Sequence, residues 1–443
     1  PTDYILKPFT VDRLMERITR ALDKRNLFMP IYQLVKIGNQ REAIALCLKG
    51  EASHPRYVID FQRLRAELHM VLGEAAEAEP IYNELFESKQ IGWAKLGLAK
   101  TMYMRERYEE AKQILETLVE TNKKFVDAYD WLAKTHEAMG NKDRARDVLG
   151  DAVAVSPHAV RRLRKFGEVA LETGSIDVAE KVLKQVVAKA KYSEFRDPED
   201  HVKLVKTLVT KGDTEAAAVA IRELDKTMGG AKNVALCSAV ASAMLHEHTG
   251  NEERLKQALD SAVEACRDSI GVSNDLKMDL ARTCLKNDHE AGAQEVMMDV
   301  MRNAGNNAAM AKAMSVFEEA GRPDLAQSLS NESRQQIVEL VQNGAAKAKE
   351  GDYRAAVALM VEAVNKLPEN PTVVFNAALA VLKCLENMGW EDRLGEYALS
   401  LIDTVRRLDP LNPKLSALAS LHQAILKKYN VRAGGRQAVR TTA

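Results

Sequence analysis

Hydrophobic residues recur every three or four positions along most of this chain, the spacing that places them on one face of an α-helix. Strict alternation of apolar and polar residues, the pattern of a half-buried β-strand, is nearly absent, and aromatic residues make up only 5% of the chain. The pattern therefore predicts an all-α protein.

The predicted helices themselves repeat at a step of about 34 residues. Small residues show the step most clearly, since Ala111, Ala145 and Ala179 are equally spaced. Other sets with this spacing are Leu98, Leu132 and Phe166; Ala99, Ala133 and Gly167; and Gly140 and Gly174. Small side chains let two antiparallel helices approach closely, and glycine permits the turn between them. The repeat therefore predicts a series of helical hairpins.

One segment, residues 126–159, resembles the tetratricopeptide repeat in both spacing and residue type. Its matching positions are Leu132, Ala133, Gly140, Ala145, Leu149, Ala152 and Pro157. The resemblance implies a tetratricopeptide-repeat superhelix, an α-solenoid of stacked hairpins. Carrying the same phase outward predicts about eleven repeats over residues 24–412 and a capping helix over residues 413–429.

The predicted repeats differ in quality along the chain. Residues 343–370 form a second good match, with Gly351 and Tyr353 at the expected turn. Residues 274–336 match less well, although Asn287 and Gly321 keep the step. We expect regular hairpins in both segments.

Residues 1–25 do not follow the repeat and predict a strand followed by an amphipathic helix over residues 10–25. They resemble the last strand and last helix of a response-regulator receiver domain. The resemblance rests on Tyr4, Lys7, Pro8 and Phe9, followed by that helix. It implies that Lys7 contacts a phosphoryl group and that Tyr4 changes rotamer on activation. The apolar face of the helix comprises Val11, Leu14, Met15, Ile18, Ala21 and Leu22.

In that family, the phosphoacceptor aspartate and the acidic pair that holds magnesium lie upstream of this segment. We therefore expect that residues 1–25 are the carboxyl-terminal remnant of a receiver domain whose remainder is missing, and that this chain is not itself phosphorylated. The resemblance implies a histidine kinase as a partner of the intact receiver.

Composition and charge exclude several classes of protein. The chain has 63 Lys and Arg residues and 63 Asp and Glu residues, so its whole surface is not a nucleic-acid footprint. No apolar stretch is long enough to span a membrane, and we expect no membrane partner. Five scattered cysteines do not form a disulfide framework, which favours a reducing, cytoplasmic location.

No catalytic, cofactor-binding or metal-binding motif is present. Phosphate-binding glycine loops, dinucleotide fingerprints and His-Glu-x-x-His are all missing. Carboxylates instead occur three or four residues from Lys or Arg, the pattern of a solvated helical face. We therefore expect a non-enzymatic protein without a cofactor.

A partner groove is predicted from the repeat phase. In tetratricopeptide repeats, certain positions of each first helix point into the concave groove, and Trp, Tyr and Arg often dominate binding energy. The residues at these positions that we predict to form the groove are Trp93, Lys100, Tyr103, Asp127, Asp130, Lys134, Glu137, Arg161, Arg164 and Glu168. The alternative is that Trp93 and Tyr103 only pack between helices. Asp130 and Lys134 stand where the family's terminal-carboxylate clamp has Lys and Asn, which argues against a chaperone-tail ligand.

Two basic features leave a second function open. Arg161, Arg162, Arg164 and Lys165 cluster on one predicted first helix, either as a solvated face opposite Asp127 and Asp130 or as a phosphate contact. The segment from residue 411 contains no acid and six basic residues, and residues 430–443 are predicted to be a disordered tail. Those six are Lys414, Lys427, Lys428, Arg432, Arg436 and Arg440.

These patterns lead to two functional hypotheses. The first is a protein-interaction scaffold that serves as the output module of a two-component response regulator and binds its partner in the concave groove. The alternative is a nucleic-acid-binding regulator that uses the basic tail and the Arg161 cluster.

Overall fold

The fold is described by a computed structural model that covers residues 8–36, 38–89, 91–267, 269, 271–409 and 412–431. These residues form 22 α-helices and one short 3-10 helix, Pro55–Tyr57. The all-α fold class predicted from the hydrophobic spacing is confirmed.

The helices follow one another with short connections. The first eleven are α1 Val11–Lys36, α2 Gln40–Ser53, α3 Val58–Val71, α4 Ala75–Lys89, α5 Gly92–Met104, α6 Tyr108–Thr121, α7 Val126–Ala138, α8 Lys142–Val155, α9 Val160–Glu172, α10 Ile176–Ala190 and α11 Glu199–Lys211. The others are α12 Thr214–Met228, α13 Val234–Thr249, α14 Glu252–Arg267, α15 Asn274–Lys286, α16 Glu290–Arg302, α17 Asn307–Glu319, α18 Pro323–Lys349, α19 Tyr353–Lys366, α20 Pro371–Met388, α21 Asp392–Leu408 and α22 Leu415–Lys428.

A left-handed residue marks the turn inside successive hairpins. Gly140 and Gly174 have φ values of +79° and +69°, a conformation that glycine adopts without a Cβ clash. In the weaker repeat, the left-handed residue is Asp288, with φ of +55°, rather than the neighbouring Asn287 that keeps the sequence step. The turn position therefore persists even where glycine is replaced.

Small residues bring the two helices of each hairpin together, as predicted. Ala111, Ala145 and Ala179 are all fully buried. A methyl group at Gly167 would lie 2.8 Å from Cδ2 of Leu183, so α9 and α10 have no room for a larger side chain there. Close packing at these positions explains why the sequence step is carried by Ala and Gly.

Two helices are longer than the repeat predicts. The predicted helix at residues 10–25 does not end there, because α1 continues without a break into the first repeat and includes Pro30. Similarly, α18 runs through the expected turn near residue 340 as one helix of 27 residues. Neither junction has a residue in the left-handed conformation that ends a helix, and in α1 the helical backbone continues past Pro30, which cannot donate a hydrogen bond to the carbonyl of Asn26.

The chain divides into two compact units. Unit 1 comprises residues 1–101 and 340–443, and unit 2 comprises residues 102–339. In unit 1, α22 contacts the first repeat. Arg41 Nη2 donates to Ser416 Oγ at 3.2 Å, and Ala419 packs in a cluster with Phe28, Ile31 and other residues of α1–α3. The last helix and the first repeat therefore share one core.

Candidate functional site

Helices α7 and α9 are the first helices of two successive repeats in unit 2. They lie side by side and carry most of the predicted groove residues. Arg162 Nε and Nη2 each donate to a carboxylate oxygen of Asp130 at 2.7 Å, and Lys165 Nζ lies 2.7 Å from Glu137. Because the partners occur in the same order on both helices, α7 and α9 run in the same direction. We call the surface formed by residues 127, 130, 134, 137, 161, 162 and 165 the α7–α9 face.

An aromatic cluster borders the α7–α9 face. The ring centroids of Tyr103 and Trp131 are 5.4 Å apart and those of Tyr103 and Tyr108 are 5.2 Å apart, both in edge-to-face geometry. Lys134 Nζ lies 4.6 Å from the Trp131 centroid and 5.0 Å from that of Tyr103. Burial lowers the pKa of Lys134, and Glu137 partly opposes this change. The ammonium group is therefore held against two aromatic faces.

The other cations of the Arg161 cluster have separate roles. Arg161 is exposed, and its guanidinium lies 5.1 Å from the Phe195 ring centroid. Arg162 and Lys165 form the ion pairs that join α7 to α9. Asp127, at the start of α7, is exposed. Of the two interpretations of the Arg161 cluster, the one that places it opposite the acids of α7 therefore holds for Arg162, whose partner is Asp130.

Arg164, a predicted groove residue, forms hydrogen bonds with groups inside the fold. Its Nε and Nη2 atoms donate to the two carboxylate oxygens of Asp200 at 2.6 and 2.8 Å, and Nη2 also donates to the carbonyl of Phe195 at 2.8 Å. Asp200 is only 1% exposed, and burial raises the pKa of its carboxyl although Arg164 opposes this change. The ion pair fixes the loop between α10 and α11.

Glu168 is also engaged by a neighbouring first helix. Lys203 Nζ of α11 donates to its carboxylate at 2.5 Å. Burial alone would lower the pKa of Lys203, but Glu168 and nearby acids outweigh it and raise that pKa. Glu168 and Arg164 thus connect α9 to α11.

The first helices of later repeats are also joined by direct side-chain contacts. Lys206 Nζ donates to both carboxylate oxygens of Asp279 at 2.7 Å, although α13 lies between α11 and α15 in the sequence. The Glu199 carboxylate accepts hydrogen bonds from the backbone N–H, at 2.8 Å, and the hydroxyl of Ser273 just before α15. These contacts occupy the polar side chains of α11 and α15.

The remaining predicted groove residues belong to unit 1. Trp93 is half-buried, and the Arg63 guanidinium lies 4.8 Å from its ring centroid. Lys100 is half-buried on the same helix, α5. That Trp93 and Lys100 form one groove with the α7–α9 face remains a prediction.

The repeat phase missed two contributors to this surface. Trp131 and Tyr108 are not at the positions that the repeat assigns to a groove. A signal was available for Trp131, since it lies three residues before Lys134 on the same helix and such pairs are neighbours. The neighbours of Tyr108 depend on tertiary packing, whereas the basic cluster on α9 predicts Arg162 opposite Asp130.

The receiver-like segment is only partly described. Tyr4 and Lys7 lie outside the described residues, whereas Pro8 is described and exposed. The apolar face of the following helix is open to solvent. Val11 is 74%, Met15 54%, Ile18 42% and Leu22 50% exposed. By contrast, Ile31, further along the same helix, is 2% exposed. The first half of α1 thus presents an apolar surface that nothing in the described chain covers.

The described residues contain no group of three or more His, Cys, Asp or Glu side chains that is arranged to hold a metal ion. The five cysteines are free, and four of them are buried. Burial raises the pKa of Cys47 and Cys284 to about 12, so these thiols are not activated nucleophiles. Over the described part of the chain, no helix is both long and apolar enough to span a membrane.

Comparison with known proteins supports the repeat assignment. Residues 102–165 match the tetratricopeptide repeat family model, which confirms that prediction for this segment. The segment reaches from the end of α5 into α9 and contains the aromatic cluster and the α7–α9 face. No curated protein matches the chain.

Several solved structures are similar to the chain at low identity. YrrB, described as a tetratricopeptide-repeat protein with an unusual peptide-binding site, is 14% identical over 42% of this chain and 93% of its own, with a TM-score of 0.35. A tetratricopeptide repeat protein from Parabacteroides merdae is 14% identical over 58% and 98%, with a TM-score of 0.36. The assembly chaperone of RpL4, Acl4, is 15% identical over 58% and 99%, with a TM-score of 0.35.

Proposed function

We propose that this chain is a non-enzymatic protein-interaction scaffold that acts as the output module of a two-component response regulator. The observation that carries the scaffold role is the α7–α9 face, which lies in the segment that matches the tetratricopeptide repeat and borders a half-buried Trp and two Tyr residues. Aromatic and Arg side chains of this kind supply most of the binding energy at protein interfaces. A partner peptide or helix binds on this face.

The response-regulator role is supported by the open apolar stripe on α1. Val11, Met15, Ile18 and Leu22 lie on one side of the helix and are all exposed. A stripe of this width normally packs against another element. The residues around Pro8 resemble the closing motif of a receiver domain, so the proposed occupant of the stripe is the sheet of that domain.

A continuous helix provides the route for regulation. The stripe and the first repeat share α1, whose later residues Phe28 and Ile31 are 2% exposed in the core of unit 1. A displacement of the first half of α1 therefore acts on that core through Phe28, which comes before Pro30 on the same helix. Phosphorylation of the receiver, through a histidine kinase, is the proposed source of the displacement.

The test uses the full gene product that contains this chain. Treated with acetyl phosphate, it should be labelled on an aspartate outside residues 1–443, and labelling should change hydrogen exchange of α1. Ile18→Glu should abolish the exchange change while leaving the label, because it disrupts the apolar contact only. If the gene product contains no receiver, or if labelling leaves the exchange of α1 unaltered, the response-regulator role is wrong.

The nucleic-acid alternative has less support. Of the basic residues on α9, Arg162, Arg164 and Lys165 are all paired with carboxylates, and residues 432–443 lie outside the described residues. Salt dependence separates the two functions, because a nucleic-acid complex weakens steeply as salt rises. A protein complex that retains most of its affinity at high salt supports the scaffold.

A further inference from the structure

We infer that the α7–α9 face binds an acidic segment of its partner, one that carries at least two side-chain carboxylates. The inference rests on the proposed scaffold function and names the chemistry of the partner that this face receives. It follows from which charges of the face are already neutralised and which are not.

The acids of the face that lie between the two helices are already paired. Asp130 accepts two hydrogen bonds from Arg162, and Glu137 is paired with Lys165. On the adjoining edge of α9, Glu168 is paired with Lys203. A cationic partner segment could reach exposed Asp127 directly, but it would have to displace Arg162 or Lys165 before it could bind Asp130 or Glu137.

Two cations of the face, in contrast, contact aromatic rings rather than acids. Lys134 Nζ lies over Trp131 and Tyr103, and the Arg161 guanidinium lies over Phe195. Within the described residues, neither forms an ion pair. An aromatic face fixes one side of a cation and leaves N–H donors on the other side, since an ammonium has three donors and a guanidinium five. Among the unmodified side chains of a protein partner, carboxylates form the strongest hydrogen bonds with those donors.

The exposed acid on α7 does not replace such a carboxylate. Asp127 precedes Lys134 by two helical turns, or roughly 10 Å along the axis, a separation at which exposed charges are largely screened in physiological salt. Its charge acts on Arg162 instead, where it adds to that of Asp130 in raising the pKa. Lys134 therefore keeps a positive charge at the edge of an aromatic surface, and Glu137, which partly offsets that charge, is itself paired with Lys165.

The separation of the two cations sets the minimum number of acids. The Asp130–Arg162 pair fixes the register, so Lys134 and Arg161 lie on two different helices and are offset by about 7 Å along them. One carboxylate, which must approach each donor to about 2.8 Å, cannot contact both. Two acids a few residues apart on one partner segment satisfy both cations.

A peptide selection tests this directly. A phage-displayed library of short random peptides, fused through their carboxyl ends so that none has a free terminal carboxylate, is selected on the full chain. We expect selected peptides to be enriched in Asp and Glu. Lys134→Gln with Arg161→Gln should weaken their binding about tenfold or more, which corresponds to about 1.4 kcal/mol.

The matched control removes the same charges from the second helices of the same two repeats. Arg144→Gln with Lys181→Gln changes one Arg and one Lys, both exposed, on α8 and α10. Binding should stay within about twofold of that of the unaltered chain.

Three results would overturn the inference: peptides without acidic enrichment, unchanged affinity in the Lys134 and Arg161 variant, or equal losses in the control. Failure to select any peptide would contradict the groove-binding function as well as the acidic partner.

Discussion

Arg41 donates a hydrogen bond to Ser416 at 3.2 Å and so joins two residues that are 375 positions apart. The same junction buries His422, which is 2% exposed and whose ring carbon would lie 3.1 Å from a methyl group at Gly38. The last helix of the chain is thus part of the core that contains α1. A displacement of α1 therefore acts on this last helix through the core that they share in unit 1.

Acid should weaken this junction. Burial lowers the pKa of His422 from its ordinary value of 6.5 to about 4, so the folded chain keeps the ring neutral. Between pH 6.5 and 4 the unfolded chain binds a proton that the folded chain does not, and stability is lost as the pH falls through that window. Chemical unfolding should show about 2 kcal/mol of extra loss between pH 7 and pH 5. His422→Gln should remove this part of the pH dependence; an unchanged slope would contradict the assignment.

The ion pair between Arg164 and Asp200 should matter for stability rather than binding. Arg164→Gln leaves a carboxylate that is 1% exposed without its partner, and we expect a loss of about 3–5 kcal/mol in unfolding free energy. Arg162→Gln is the control, because its partner Asp130 is 40% exposed, and it should cost about 1 kcal/mol or less. Equal losses in the two variants would mean that burial of the acid is not the cause.

Substitution of two helical glycines by alanine should have opposite effects on stability. At Gly167, an added methyl group lies 2.8 Å from buried Leu183. Alanine favours the helix more than glycine does, but the steric cost is larger. Gly167→Ala should therefore lower the unfolding free energy by about 1–2 kcal/mol in total. At Gly150, the nearest atom is Cζ of half-buried Phe166 at 3.3 Å. Gly150→Ala should be neutral or stabilising in urea unfolding. A destabilised Gly150→Ala would show that the α8 contact is tighter than described.

The two halves of α1 should respond differently to charge. Ile18→Glu places a carboxylate on a surface that is already 42% exposed, so the melting temperature of this chain should stay nearly constant. Ile31→Glu places one in a core position that is 2% exposed and should unfold the first repeat. Circular dichroism melts compare the two. A large loss with Ile18→Glu would mean that the stripe is already packed within this chain.

Sequence spacing predicted the hairpins because a small residue must occupy the close contact between helices and a left-handed residue the turn. In the repeat that matched best, Ala145 is fully buried and Gly140 has a φ of +79°. It did not predict the fusion of helices in α1 and α18, because the absence of a stop signal is weaker evidence than the presence of one. At the candidate site, the repeat phase places Lys134 in the groove but does not predict the pairing of Arg164 with Asp200. The partner of Arg164, Asp200, lies 36 residues further on, beyond an unusually long loop, and only tertiary packing brings the two together.

We propose that a protein partner binds on the α7–α9 face. Hydroxyl-radical footprinting of the gene product, with and without the partner captured from the organism that encodes it, locates the bound surface. We expect Tyr103, Tyr108 and Trp131 to lose reactivity in the complex, while Tyr192, which is 91% exposed in the loop after α10, should not change. Unchanged reactivity of the three aromatic residues in a stable complex would contradict it.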